Sequence, residues 1–246
     1  MTDYRIAVIS DMHGSMAAFT AALVDLDSQA VDEVLVGGDV AQGGRQPAAV
    51  IDTLIERDWP TVLGNADLLL VQVADGLPID GEDITDQIRR GLQWSVDRLD
   101  DRHRSFLRAL PREIRRRHRR HEFVLVHATP WSVHEIVPPD ALDEVFARML
   151  AVSGATVLAH GHIHSAHRRR IPDGIVVSVG AVNGSNDRDP RPAYSIITFG
   201  DEVTVETRRV AFDHRREIAA LEAAGFPMRP DRVEQYLNGG PWPIRA

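Results

Sequence analysis

Cysteine is missing from this 246-residue sequence, which removes disulfides, thiolate metal ligands and a cysteine nucleophile at one stroke. Lysine is missing too, so all 28 basic residues are arginine. That excludes Schiff-base chemistry and a phosphate-loop lysine, and leaves planar guanidinium groups as the available grips on phosphate. A basic excess is also lacking. The formal charge of −8 has the wrong sign for a chain that must neutralise a nucleic-acid backbone, so nucleic acid is not the expected partner. The opening stretch MTDYRIAVIS carries Asp3 and Arg5 beside an apolar run too short for a signal peptide or a membrane span, and a cytoplasmic protein without membrane contact is expected.

What is present describes a globular chain, 43% hydrophobic and 26% charged, long enough to bury a sizeable core. No repeat of fixed period and no low-complexity linker interrupts it, so a single domain over residues 1–246 is expected. Apolar β-branched RIAVI (5–9) breaks at SDMHGS and is followed by MAAFTAALVDLDS at helical spacing. The same strand, loop and helix order recurs with EVLV (33–36), GGDVAQGGR and a helix opening near Gln46 and Pro47, and again with TVL (61–63) before GNAD. Successive βα units imply an α/β fold with parallel strands whose carboxyl-terminal loops share one sheet edge, where ligands bind in such folds. Residues 82–110 predict a helical insertion, with Ile84, Ile88, Leu92, Val96 and Leu99 on one stripe and Pro111 as its stop. Beyond it come a hairpin (REIRRR, EFVLVH), a helix (ALDEVFARMLA), the buried strand TVLAH, four closing strands, and C-terminal helices at about 212–238.

The polar residues of interest all follow these strands directly. Asp11 and His13 follow the first, Asp39 the second and Asn65 the third; His127 ends FVLV, and His162 and His164 follow TVLA. Taken singly, a histidine at a strand end is usually a surface group and an aspartate before a helix is usually a cap. Together, imidazoles with carboxylate and amide oxygens and no thiolate suit a pair of borderline divalent ions. Manganese heads the expected ions, with iron, zinc or nickel as alternatives. Two such ions roughly 3.5 to 4 Å apart polarise a phosphoryl oxygen and clamp both apical oxygens of an in-line displacement. Asp39, on the middle strand of the three, is the best candidate for a bridging carboxylate.

The blocks DMH (11–13), GGD (37–39), GNAD (64–67), VHA (126–128) and GHIH (161–164) resemble, in order and spacing, the five signature blocks of calcineurin-like metallophosphoesterases. VSVGAVNGSNDRDPRPAYSIITF (177–199) is similar to the glycine-rich loop and closing strands of small bacterial phosphodiesterase-like members. The resemblance implies a four-layer α/β/β/α sandwich of two mixed β-sheets flanked by helices. It implies that Asp11, His13, Asp39 and His164 hold one metal, that Asp39, Asn65, His127 and His162 hold the other, and that a hydroxide held by the pair attacks a phosphoester in line. Phosphodiesters are the expected substrates. A phosphomonoesterase, a dinucleoside polyphosphate hydrolase or a catalytically weak metal-binding regulatory module stand as alternatives, and oligomerisation stays open.

Two positions depart from the family pattern. Ala66 stands where many members have the histidine that protonates the leaving group, and GDVAQGG lacks the phosphate-gripping arginine of protein phosphatases. His134 or Asp67 is the expected substitute acid, which puts Asp39, Asn65 and His134 in the catalytic set. Asn65, Trp131, His134 and Asn183 are the substrate-binding candidates, with core packing an equal reading for Trp131 and a turn an equal reading for Asn183. The run REIRRRHRRHE (112–122) reads best as charge guarding a sheet edge. His103 reads as solvated, and Trp59 and Trp94 as core.

Overall fold

The computed structural model describes residues 3–79, 84–228 and 230–240; the expectations that touch residues 1–2, 80–83, 229 and 241–246, including the first residues of the predicted helical insertion, lie outside them. Two mixed sheets form the body. In the first, β1 (Tyr4–Ile9) lies parallel to β2 (Glu33–Val36) and antiparallel to a strand at Ala193–Phe199, which pairs in turn with one at Val203–Arg209. The second is built on the hairpin β3 (Glu113–His118) and β4 (His121–Val126), followed in spatial order by β5 (Val157–His160), a strand at Gly174–Ser178 and β6 (His167–Ile171). In chain order the remaining three strands are β7 (Gly174–Ser178), β8 (Ala193–Phe199) and β9 (Val203–Arg209).

Alternation along each strand builds the layers. Ile6 and Val8 of β1 meet Phe123 and Leu125 of β4 and Ile175 and Val177 of β7 between the sheets. Their neighbours Ala7 and Ile9 face outward onto α1 (Met16–Leu26), α2 (Pro47–Glu56) and α3 (Asn65–Ala74), while Val124, Val126 and Val176 face α6 (Asp143–Ser153). Strands covered on both faces need continuous apolar runs, which is why RIAVI and FVLV carry no polar alternation. The predicted helical segment supplies α4 (Asp86–Val96) and α5 (Asp101–Ala109), whose Leu92, Val96 and Leu107 join the first outer layer. Helix, sheet, sheet and helix are therefore stacked as the family resemblance implies.

The third predicted strand is reduced. Only Thr61 bridges to β2, at Val36, because Pro60 has no N–H to donate and Leu63 N already turns away to the Pro111 carbonyl. His103 is not solvated: it is buried, with Nδ1 2.7 Å from Asp100 Oδ1 and Nε2 3.2 Å from Asp52 Oδ1, and it ties α5 to α2. Trp59 and Trp94 sit half-buried at the margin of the core, each under an arginine. The arginine run extends through β3, the edge strand of the second sheet, into the turn before β4, and includes the pairs Arg115–Glu113, Arg116–Glu33, Arg117–Glu122 and Arg119–Asp201.

After β9 the described residues form a helical hairpin, α7 (His214–Ala223) and α8 (Pro230–Asn238). Its own apolar cluster is small, centred on Ile218, Leu221 and Tyr236. Polar contacts do much of the docking. Ser15 Oγ donates to Glu217 Oε1 (3.2 Å), Asn183 Nδ2 to the Tyr236 hydroxyl (3.1 Å), and Gln235 Nε2 to Gly184 O (2.6 Å) and Asn186 Oδ1 (2.8 Å).

One ionic cluster joins α1 to the first sheet. Asp25 accepts from the Tyr194 hydroxyl (2.6 Å) and from Arg208 Nε (3.1 Å) and Nη2 (2.8 Å). The Arg208 hydrogen bonds lead in holding its carboxyl below the ordinary range, against a smaller opposing effect of burial. A depressed folded-state pKa gives stability that is complete above the unfolded value and lost as pH falls through the folded one. Asp25→Asn should therefore cost about 1 kcal/mol at neutral pH. In urea unfolding, the gap from wild type should begin to close below about pH 4, the unfolded carboxyl value, and shrink as pH falls through the lower folded value.

Candidate metal centre

The loops after β1 and β2 are zipped together by backbone bonds: Asp11 N donates to Gly38 O (3.0 Å), His13 N to Asp39 O (2.9 Å) and Gly14 N to Val40 O (2.9 Å). From the second sheet, Gly161 N donates to His127 O (2.9 Å), and Asn183 N reaches across to Asp11 O (3.1 Å). These bonds bring the ends of strands from both sheets to one place, and all seven residues singled out as metal ligands meet there.

Asp11 (φ 58°), His13 (47°), Asp39 (52°), His162 (66°) and His164 (55°) all adopt the left-handed backbone region. Only three further non-glycine residues do so among the described ones, Asp58, Arg119 and Arg188. Side chains other than glycine are uncommon in that region, and such strain gathers where a site dictates side-chain direction.

Each of the four histidines has one ring nitrogen on a backbone carbonyl. Nδ1 of His13 meets Gln42 O (2.9 Å), Nδ1 of His127 meets Gly37 O (2.7 Å), Nδ1 of His164 meets Gly184 O (2.6 Å), and Nε2 of His162 meets His134 O (3.1 Å). A carbonyl can only accept, so each of these nitrogens carries a proton and a neutral ring turns its lone pair inward. The inward atoms crowd together: His13 Nε2 and His164 Nε2 are 3.0 Å apart, and Asn65 Oδ1 lies 2.9 Å from His127 Nε2 and 3.0 Å from His162 Nδ1.

Carboxylates complete the acceptor cluster. Asp11 Oδ1 stands 3.2 Å from His164 Nε2 and is buried without a hydrogen-bond partner. Asp39 faces both ways, with Oδ2 3.6 Å from His13 Nε2 and Oδ1 3.5 Å from His127 Nε2. Two groups bring their donor atoms within 4.8 Å of one another, Asp11, His13 and His164, and Asp11, Asp39 and His127. So many lone pairs converging in a buried space repel unless cations lie among them, and the donor set fits divalent ions.

The electrostatics agree. Burial first, helped by the neighbouring His164 and Arg232 charges, pushes His13 down to about 4, and burial with His127 does the same to His162. Burial opposes charge at His127 as well, yet Asp39 and then Asp11 outweigh it and push this imidazole up to about 10. A divalent ion held by Asp39 and Asp11 would compete with a proton for His127 Nε2.

The remaining candidates lie around this cluster. Ala66 donates its N–H to Asp39 Oδ1 (2.8 Å). Asp67 is fully buried and accepts from three backbone N–H groups, of Asp39 (2.8 Å), Val40 (3.0 Å) and Gly64 (3.1 Å). Burial and the nearby Asp39 push its pKa up to about 7. Its oxygens lock the loop after β2 and do not reach outward. His134 is exposed on the rim, its carbonyl on His162. Trp131 packs on the α6 cluster, with Arg148 4.1 Å above its ring and its indole N–H on Glu135. Asn183 is buried, and its amide is committed to Tyr236.

Sequence reasoning missed the four carbonyls that orient the histidines, since any residue supplies a carbonyl. It also missed Arg232 on α8, whose charge reaches His13. An arginine in PDRVEQYLN reads as one more solvated helix residue, and no local signal marks it.

A family model for the calcineurin-like phosphoesterase superfamily domain matches residues 4–202. An uncharacterized protein of Methanocaldococcus jannaschii is 24% identical over 152 residues, which make up 59% of this chain and 59% of that protein, so the match spans less than two thirds of that relative. A hypothetical protein of Pyrococcus horikoshii OT3 superposes with a TM-score of 0.82 at 17% identity, over 97% of this chain and 99% of its own. A metallophosphoesterase of Sphaerobacter thermophilus gives 0.74 at 21% identity, over 97% and 100%. At such identities these structures speak for a shared fold. No helix among the described residues is long and apolar enough to cross a membrane.

Gly161 lies against the Asp11 carboxylate, and a Cβ there would collide with Asp11 Oδ2 and Ser10 Oγ. Gly161→Ala should displace Asp11 and weaken divalent-metal binding by about 10- to 100-fold, as outer-shell changes do. Competition titration against a chromophoric chelator would measure this, and unchanged affinity would refute the close-approach argument.

Proposed function

The chain belongs to the calcineurin-like phosphoesterase superfamily, and from that premise we propose that it is a two-metal phosphoesterase acting on phosphodiesters, with a small phosphoester or nucleotide as substrate and the cytoplasm as its setting. The observation that carries this reading is the inward convergence of imidazole, amide and carboxylate lone pairs from both sheets. Asp11, His13, Asp39 and His164 would hold one ion; Asp39, Asn65, His127 and His162 would hold the other. The two oxygens of Asp39, each turned to a different histidine, support the bridging role. When bound, a divalent pair such as manganese supplies Lewis-acid polarisation of the phosphoryl group and lowers the pKa of water.

The protein's own groups do the rest. The Gln42, Gly37, Gly184 and His134 carbonyls fix the imidazole orientations before substrate arrives, so little reorganisation is left for the reaction. Asn65 and His162 are half-buried while Asp11 and His127 are sealed, which opens the centre to substrate on the Asn65 and His162 side. His134 stands on that open side. With Ala66 lacking any proton to give and Asp67 locked to backbone, this reading assigns protonation of the leaving group to His134.

Metal-depleted protein reloaded with manganese should hydrolyse aryl phosphodiesters faster than monoesters or dinucleoside polyphosphates. Asp39→Asn should lose at least about a hundredfold in rate, the scale of removing one preorganised electrostatic group. Failure of every substrate to turn over in a metal-dependent way would leave the regulatory-module alternative standing.

His134→Ala separates the proton-transfer role from binding. Loss of a general acid should cost about 10²- to 10⁴-fold on alkyl diesters with poor leaving groups, and little on nitrophenyl diesters. Equal losses on both, measured as kcat, would remove His134 from that role.

A further inference from the structure

Metals alone do not orient a phosphoester, and the loop after β2, GDVAQGG, contains no arginine to grip one. The next arginine along it, Arg45, is already engaged: its Nη2 lies 3.7 Å from Glu217 Oε2, a carboxylate only 4% exposed. Lysine is absent from the chain, so any cationic grip must be another guanidinium.

Arg232 meets the requirement from an unexpected direction. It stands in the first turn of α8, half-buried, in a part of the chain beyond the family match at residues 4–202. Its Nη1 donates to Gln235 Oε1 (2.6 Å), and Gln235 Nε2 donates to Gly184 O (2.6 Å), the same carbonyl that accepts from His164 Nδ1 (2.6 Å). Gly184 adopts φ +75°, and a Cβ there would come within 3.3 Å of Arg232 Nη1. The helix is thus seated directly on the loop that orients a ligand candidate. Among the described residues, no carboxylate pairs with Arg232, and most of its N–H groups remain for an anion.

We propose that Arg232 binds the non-bridging phosphate oxygens of the substrate from the His13 and His164 side of the centre, so that the C-terminal hairpin supplies the phosphate grip that the loop after β2 lacks. This rests on the phosphoesterase reading and names the residue that holds its substrate. A guanidinium aimed at a phosphoryl group forms two parallel charge-assisted bonds, and an ammonium at the same place cannot reproduce both.

The test uses full-length, manganese-reloaded protein with an aryl phosphodiester, and inorganic phosphate as the product-like probe. Arg232→Met should raise KM and weaken phosphate inhibition by about 10- to 100-fold, the range for charge-assisted hydrogen bonds. Manganese content and Tm should stay at wild-type values, and Arg232→Lys should fall between. Wild-type KM and phosphate inhibition in Arg232→Met would overturn the proposal, and so would loss of manganese, which would mark a purely structural role. If Arg232→Met does not fold, Arg232→Lys decides alone: a several-fold higher KM at full manganese content supports the grip, and an unchanged KM sinks it. Should wild type show no turnover, the phosphoesterase reading itself fails. Calorimetry of phosphate binding to the metal-loaded proteins then judges Arg232 separately, and equal affinity in wild type and Arg232→Met overturns it.

Discussion

Mutual repulsion among inward-facing lone pairs is the constraint around which this protein is arranged. Backbone carbonyls claim one nitrogen of each imidazole at His13, His127, His162 and His164, and the remaining nitrogens have nowhere to point but at each other, at Asn65 and at two buried carboxylates. Such an arrangement is unfavourable in isolation and favourable around cations. Holding it needs rigid supports, and the structure provides them as strand ends: every one of these loops except that of Asn65, which opens α3 after a single bridge, leaves a strand packed between two apolar layers. The left-handed backbone at Asp11, His13, Asp39, His162 and His164 is the local cost of aiming side chains this way. The buried core between the sheets offsets it.

A division of labour follows from burial. Asp11, Asp39 and His127 are sealed and served by both sheets, whereas Asn65, His162 and His134 lie nearer the surface and the C-terminal hairpin seats on the Gly184 loop. The family match stops at residue 202 and so takes in the sealed part, while α7 and α8 lie beyond it. The packing of Trp131 onto α6 and the commitment of Asn183 to Tyr236 show side chains near the centre occupied in building the rim.

The clustering of Asp11, His13, Asp39, Asn65, His127, His162 and His164 was legible in the sequence because each follows an apolar run, and runs of that kind become strands buried on both faces. The stacking of two mixed sheets came only through family resemblance, since periodicity within a strand says nothing about which sheet it joins. TVL misled because β-branched residues promise a strand, while Pro60 and the pull of the Pro111 carbonyl allow one bridge. His103 misled because a helix rich in charge looks solvated, and its partner Asp52 lies on another helix. The carbonyls of Gly37, Gln42, His134 and Gly184 carry no side-chain signature at all. Arg232 was hidden for a related reason: its meaning depends on where a distant helix lands.

Among those carbonyls, Gly184 O is shared. It accepts from His164 on one side and from Gln235 of α8 on the other. An acceptor with two donors couples them, since polarising it towards one changes what it offers the other. Ion occupancy at His164 and seating of the hairpin are therefore linked variables. By thermodynamic reciprocity, whatever free energy the ion lends to helix docking, docking returns to ion affinity. A single peptide oxygen thus lets α8 bear on how tightly His164 could hold an ion.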